Sequence, residues 1–345
     1  MALHFHTSNK LEILIDIINR NMQQHSGSDI FQSDWIIVPN SGIATYLQQQ
    51  LALRNGICAN LKIRKIAEFY NQTVTAEERV RPNALRWKLF AYFVTSTANL
   101  PREVTDYLNQ GGGNDLELRA WQLSGRLLQI FDQYRTFRYD KLAEILTHDN
   151  WQSSLFKYVF GENLSKRLQA LNNLKSYQSN TPDILHIFGF GSMPKLYLDF
   201  IYNLARMENK ELFFYYLAPS MEFFGDQYFN RGGKKFIPQN FTSEEVLNPL
   251  FSAWGAQALG LLELTLNGQD VIETFDDENF AVYPNTALGR LQNSILMLSE
   301  PAADGGTLDH TLQIHSCHTI RREVEVLHDL LLREIADYQV APREI

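Results

Sequence analysis

Cysteine is scarce: Cys58 and Cys317 are the two in 345 residues. They stand far apart, without a CxxC pair or a Cys/His spacing that would hold zinc. A disulfide framework is not expected, and a reducing cytoplasm is the natural compartment. No stretch approaches the roughly 20 apolar residues of a membrane span. The opening "MALHFHTSNK" has no basic region ahead of a long apolar run, so no secretory signal is expected. Positive charge is also short, with 31 Lys and Arg against 39 Asp and Glu, a formal net charge of −8. That balance argues against a simple basic nucleic-acid binder. It leaves room for a locally basic groove, because binding follows the local field rather than the sum. Charged residues make up 20%, too few for a disordered chain, and apolar residues 45%, ample for packed cores. The length predicts two or three structural units.

What is present is an alternation of short apolar runs and amphipathic stretches. "LHFHT" reads as a strand, and Thr7 or Ser8 can cap the helix after it. Leu11, Leu14, Ile15 and Ile18 recur at helical spacing there and predict one buried face. "DWIIVPN" reads as a buried strand. "SGIATYLQQQLALRN" follows as a helix stopped by Gly56. Two strand–turn–helix units in about 55 residues predict a parallel, open α/β sheet. From about Glu77 to Asn172 the pattern is helical, with "QGGGND" as a joint and "LSKRLQALNNLK" as the last helix. Strands return at "DILHIFGF" and "KELFFYYLAP", separated by the helix "GSMPKLYLDFIYNLARM". "FNRGGKKFIPQNFTSEE" reads as an exposed loop, "NPLFSAWGAQALGLLELTL" and "TALGRLQNSILML" as helices, and "EPAADGGTLDH" as a linker. "TLQIHSC" reads as a strand and "IRREVEVLHDLLLREIADY" as a long amphipathic helix. A lone strand–helix unit there suggests a further domain cut short. The expected parts are 1–76 and 176–300 as one α/β domain, 77–175 as a helical insertion, and 301–345 as a linker and the start of a second α/β domain.

The layout "LHFHTSNKLEILIDIINR" is that of a phosphate loop, strand then turn then helix. A Walker A loop needs G-x-x-x-x-G-K-[ST], whose glycines let backbone N–H groups close on phosphate. Here Lys10 is present, but the glycines and the following hydroxyl are not, and side chains with Cβ block the close approach. "GFGSMPK" also fails the spacing of either glycine motif, and Gly189 and Phe190 stand where a helicase would keep a magnesium-binding acidic pair. It reads as a tight turn on the sheet's carboxyl rim. "FDDEN" (Asp276, Asp277, Glu278) reads as a solvated acidic loop, and His315, Cys317 and His318 lack further ligands for zinc. Basic clusters at Lys62 to Lys65, Arg79 to Arg81, Arg231 to Lys235, and Arg321 with Arg322 can each touch phosphate or simply face water. "FDQYRTFR" mixes Asp132, Gln133, Arg135 and Arg138 with Phe131, Tyr134 and Phe137. Such a mix suits unpaired bases, by stacking and hydrogen bonding, and equally suits an amphipathic helix with aromatics in the core. A working nucleotide-binding loop, a small-molecule enzyme using the "GFGSMPK" rim, and a protein scaffold are the competing readings.

Several stretches resemble the gamma-chain family of exodeoxyribonuclease V (RecC): "HTSNKLEIL", "SGIATYLQQQLALRNGICANL", "RWKLF", "IFDQYRTFR", "NPLFSAWG", and "REVEVLHDLLL" preceded by "HSCH". They fall in the family's order and span almost the whole chain. The resemblance implies a RecA-like, superfamily 1 helicase-like parallel sheet domain with a helical insertion and degenerate ATPase motifs. It implies a non-catalytic subunit, without a cofactor, that works with RecB-like and RecD-like chains as a heterotrimer. Those partners supply the motors and the nuclease. This subunit would split duplex DNA, guide a single strand and scan it for the Chi signal, in recombinational double-strand break repair.

By the same resemblance, Asp132, Gln133 and Arg138 take recognition positions, and Gln129 and Ile130 two more. Gln129 replaces an acid and Ile130 is a conservative change. Ser41 and Pro39 stand where the family has polar residues, and Lys65 and Asn71 fall near an apolar residue and a tryptophan. These departures imply a different signal, or none. Arg138 would favour guanine through paired donors, and Asp132 an exocyclic amine.

Overall fold

The computed structural model describes residues 2–25, 33–73, 81–95, 100–110, 115–148, 150–161, 182–224, 229–231, 234–236, 248–266, 271–274, 277–301 and 309–341. The expected helix "LSKRLQALNNLK", Asp276, Arg79 and most of the linker lie outside them. The strands are β1 (Ala2–Ser8), β2 (Asp34–Val38), β3 (Leu61–Lys65), β4 (Ile184–Phe190), β5 (Glu211–Leu217), β6 (Phe229–Arg231), β7 (Lys234–Phe236) and β8 (Val271–Thr274). β6 and β7 pair antiparallel, while the rest form a six-stranded sheet in the order β3-β2-β4-β5-β1-β8. Every pairing within that sheet is parallel, with Leu3 opposite Leu212 and Ile36 opposite His186.

The central strands are apolar on both faces, because helices cover both. Along β5, Leu212, Phe214 and Tyr216 enter one core while Phe213 and Tyr215 enter the other. This is the two-residue period of a strand. The second core is closed by α1 (Leu11–His25) and α2 (Ser41–Asn55), which set Leu14, Ile15, Ile18, Leu47 and Leu51 against Ile36, Val38 and Phe188. Burying the five core residues of α1 contributes on the order of 10 kcal/mol of gross hydrophobic stabilisation. Gly56, at φ 74°, ends α2 in the left-handed conformation, as its position suggests.

The first core is larger. It joins the other sheet face to α3 (Ile66–Thr73) and to the helices α4 (Pro82–Thr95), α5 (Arg102–Asn109), α6 (Leu116–Phe137), α7 (Leu142–Ile145) and α8 (Trp151–Phe160). No strand occurs among the described residues between 81 and 161. Phe5 and Ile187 of the sheet share one apolar cluster with Phe93, Phe131 and Phe156 of these helices. α9 (Lys195–Met207), entered through Pro194, and α10 (Pro249–Trp254) with α11 (Ala256–Leu266) complete that side. α12 (Ala287–Leu296) and α13 (Ile320–Asp337) follow.

Two expectations need correction. "TLQIHSC" is not a strand, and Ile314 is 91% exposed. Alternation makes a strand only where a neighbour takes up its N–H and C=O groups, and no described segment does. "FNRGGKK" is not wholly a loop, since β6 and β7 pair antiparallel with Arg231 opposite Lys234. The basic run Lys62 to Lys65 is the edge strand β3, paired with β2. Lysine on an edge strand blunts further pairing. Lys62 Nζ lies 5.2 Å from the centre of the Trp35 ring, and Lys65 pairs with Glu68 at 2.6 Å.

Candidate nucleic-acid interface

Because the sheet is wholly parallel, the carboxyl ends of its strands share one rim, where ligands of open α/β sheets bind. The turn after β1 opens on that rim. Ser8 Oγ accepts from the Lys10 N–H at 3.1 Å and donates to the Asn279 carbonyl at 2.6 Å. Asn9 brackets Ala281, donating to its carbonyl at 2.7 Å and accepting from its N–H at 2.9 Å. Lys10 Nζ lies 4.0 Å from the centre of the Tyr283 ring. The segment 279–283 therefore engages the side chains that a phosphate would meet. The end of β4 has a different peculiarity. Gly189 sits at φ 74° where the register of β4 against β5 shifts, and an added Cβ would come within 3.1 Å of Ile43 on α2.

Ser41 is exposed in the first turn of α2, on the rim. The capping is done by Asn40, whose Oδ1 accepts from the Ile43 N–H at 3.0 Å. Gln129, Asp132, Gln133 and Arg138 lie on or just beyond α6 and are all exposed. α6 is set by its buried positions Ala120, Ser124, Leu127, Phe131 and Arg135, a helical stripe that turns Gln122, Arg126, Gln129 and Gln133 outward. Phe131 belongs to the core, whereas Phe137 is exposed. Ile130 is half-buried. α2 and α6 pack on opposite faces of the sheet, so Ser41 is not part of the α6 surface.

Arg135, which the sequence sets among the polar side chains suited to unpaired bases, instead turns inward. It is 6% exposed, and its Nε and Nη2 both donate to Asp132 Oδ1, at 3.1 and 2.8 Å. It also lies close to Tyr197 of α9, whose hydroxyl pKa is pushed up chiefly by burial and eased back by that arginine. A second tie joins the same ends. Lys195 Nζ lies 3.0 Å from Asp199 and 3.8 Å from Asp140, and the Tyr139 hydroxyl donates to Asp199. α9 begins just past β4, so these contacts hold the end of α6 beside the rim. The signal was in the sequence: Arg135 falls four residues after Phe131 on the apolar stripe.

Two openings flank α6. Gln129 and Asp132 line one of about 580 Å³ between α4 and α6, with Arg86, Arg126 and Gln122. Arg138 lines another of about 360 Å³, with Tyr134, Asn150 and Gln152. Gln129 and Asp132 therefore share an opening, Arg138 faces a different one, and Gln133 lines neither as described. Arg321 and Arg322 both pair with Glu325 along α13. Among the described residues, no group of three or more His, Cys, Asp or Glu is placed to hold a metal, and no helix is long and apolar enough to cross a membrane.

The family model that matches, over residues 3–298, is "RecC, N-terminal domain". Similar proteins include the RecBCD enzyme subunit RecC of Haemophilus influenzae, 26% identical over 94% of this chain and 36% of that protein. The subunit of the same name from Escherichia coli is 25% identical over 99% of this chain and 36% of its own length. That from Mycolicibacterium smegmatis is 26% identical over 100% of this chain and 33% of its own. The chain thus spans about a third of the length of these curated relatives. With the N-terminal-domain model matched from the first strand to the end of α12, the chain belongs to the RecC family.

Proposed function

We propose that this chain is a non-catalytic, DNA-guiding part of a RecBCD-type helicase and nuclease. On this reading it works in the cytoplasm with RecB-like and RecD-like chains, in recombinational double-strand break repair. Its α/β part is RecA-like, formed by 1–76 and 176–300. The helical insertion is 77–175, and 301–345 begins a second helicase-like unit. The ATPase motifs are degenerate: the glycines are missing, and the contacts of Ser8, Asn9 and Lys10 with 279–283 leave the turn engaged by its own chain. No nucleotide cofactor is invoked.

The observation that carries the reading is the outward face of α6. It presents amide and charged side chains beside the rim, between two openings, and its end is tied to α9 through Arg135 and Lys195. Held side chains of this kind can read base edges, while scattered Lys and Arg hold phosphates. Gln129, Asp132, Gln133 and Arg138 are the proposed readers on α6, with Ser41 a separate contact on the rim. The test is Arg138→Ala in the chain assembled with its partners. Sequence-dependent attenuation of nuclease activity should weaken, with ATP hydrolysis by the partner motors unchanged. Collapse of unwinding with a normal signal response would show the assignment to be wrong.

A further inference from the structure

α4 carries Arg86 and Lys88 and no acidic residue. It packs along α6, where Gly125 supplies the room. A Cβ at Gly125 would lie 3.0 Å from Arg86 Nη2 and 3.1 Å from its Cζ, so the guanidinium rests directly against that glycine. The guanidinium also stacks on Trp121, 3.8 Å from the ring centre, and Nη2 donates to the Trp121 carbonyl at 3.1 Å. Arg126 is exposed and lines the same groove. The remaining charged residue lining it is Asp132, already paired with Arg135. Two arginines without a described carboxylate partner thus share a groove in a chain of net charge −8. At the helix pair's surface stands Trp87, 59% exposed. Its ring is propped by Trp121, at 4.7 Å between centroids and 50°, and by Phe90, at 5.5 Å and 89°.

We infer that the α4–α6 pair forms a sequence-independent stacking site for single-stranded DNA, with Trp87 as the platform and Arg86 and Arg126, in the adjoining groove, as phosphate contacts. The inference rests on the nucleic-acid reading above and extends it to residues which that reading does not use. An indole held in place yet open to water accepts any base through its π face, and the guanidinium charges track the backbone. The strand must be unpaired, since a duplex keeps its bases stacked away from such a platform. The opening, about 580 Å³, is within the range of sites that hold small ligands. Gln122 on its wall offers an amide to base edges.

The test measures binding of a fluorescent oligo-dT by the full chain, by anisotropy over a series of salt concentrations. Trp87→Ala should weaken binding by about tenfold, the loss of one base–aromatic stack. Trp87→Phe, which keeps an aromatic face, should retain most of the affinity. Arg126→Gln should lower the slope of log affinity against log salt by about 0.7. Circular dichroism of each variant checks that the fold is kept. Wild-type affinity in Trp87→Ala with an unchanged slope in Arg126→Gln would overturn the site while leaving the α6 reading standing. Loss of a partner chain on copurification of Trp87→Ala, with DNA affinity unchanged, would assign the patch to a protein and overturn it equally. A wild-type chain that bound no oligo-dT at any salt would sink the nucleic-acid reading and this site with it.

Discussion

Acid should unfold this domain through two histidines in the core beneath α1. Asn21 Nδ2 donates to His6 Nε2 at 3.0 Å and to the Tyr215 hydroxyl oxygen at 3.0 Å. The Tyr215 hydroxyl in turn lies 3.0 Å from His186 Nδ1. His6 accepts at Nε2 and is neutral, and a proton there would set donor against donor, while charging the buried His186 would cost its solvation. Burial, then His4 and Arg20, lowers the His6 pKa from 6.5 to about 4. Burial, then His25 and His6, lowers that of His186 to about 3. His4 is itself depressed by burial, against the pull of Glu211. Since the folded pKa values lie below the unfolded ones, the unfolded chain binds more protons between pH 6.5 and 4. Stability is therefore full above pH 6.5 and falls as pH drops. By pH 5 each histidine costs about 2 kcal/mol relative to pH 8, or about 4 kcal/mol together. Urea unfolding followed by circular dichroism at pH 8, 6 and 5 measures this. His6→Gln, whose amide oxygen can still accept from Asn21, should lose about half as much on acidification. Carboxylates titrate in both proteins, so the difference between the two curves isolates His6. Curves that stay parallel from pH 8 to 5 would refute the reasoning.

Gly189→Ala should cost about 1–2 kcal/mol, because alanine is strained at positive φ and its Cβ meets Ile43. A smaller change in the urea midpoint would show that the β4 bulge relaxes. Asn9→Ala removes both bonds to Ala281 and should destabilise by about 1–2 kcal/mol. Because the turn still lacks glycines, calorimetry with ATP should show no binding to that variant, and heat of binding would contradict the degenerate-loop reading.

Much of the sheet was legible because strands buried on both faces must be apolar throughout. "DWIIV" and "ELFFYYL" could be little else, and α1 and α2 carried their own stops and stripes. β3 was hidden because an edge strand in need of protection writes itself as "LKIRK", a basic cluster by composition. "TLQIHSC" misled in the opposite sense. Its alternation is a local property, whereas a strand is a relation between two segments. The groove between α4 and α6 was equally out of reach. Gly125 and Arg86 are far apart in sequence, and only packing shows that the glycine makes room for the guanidinium.

Asp132 shows how burial alters a side chain read from sequence. As one letter in "FDQYR" it is a free carboxylate able to accept from a base. In the structure it is the outer half of a pair whose inner half, Arg135, is buried: the side chains are 52% and 7% exposed. The pair cannot be valued as a surface salt bridge, because removing the aspartate would leave a cation in the core with its partner gone. Nor is Asp132 fully spent, since both donors converge on Oδ1. A carboxylate held through one oxygen has its second oxygen oriented in advance, and so loses less rotamer freedom on meeting a ligand. Arg135 thereby joins the orientation of a proposed reader on α6 to Tyr197 of α9, and through α9 to the β4 end of the sheet rim. The buried arginine, rather than the exposed aspartate, is what makes this stretch of α6 a fixed surface instead of a mobile one.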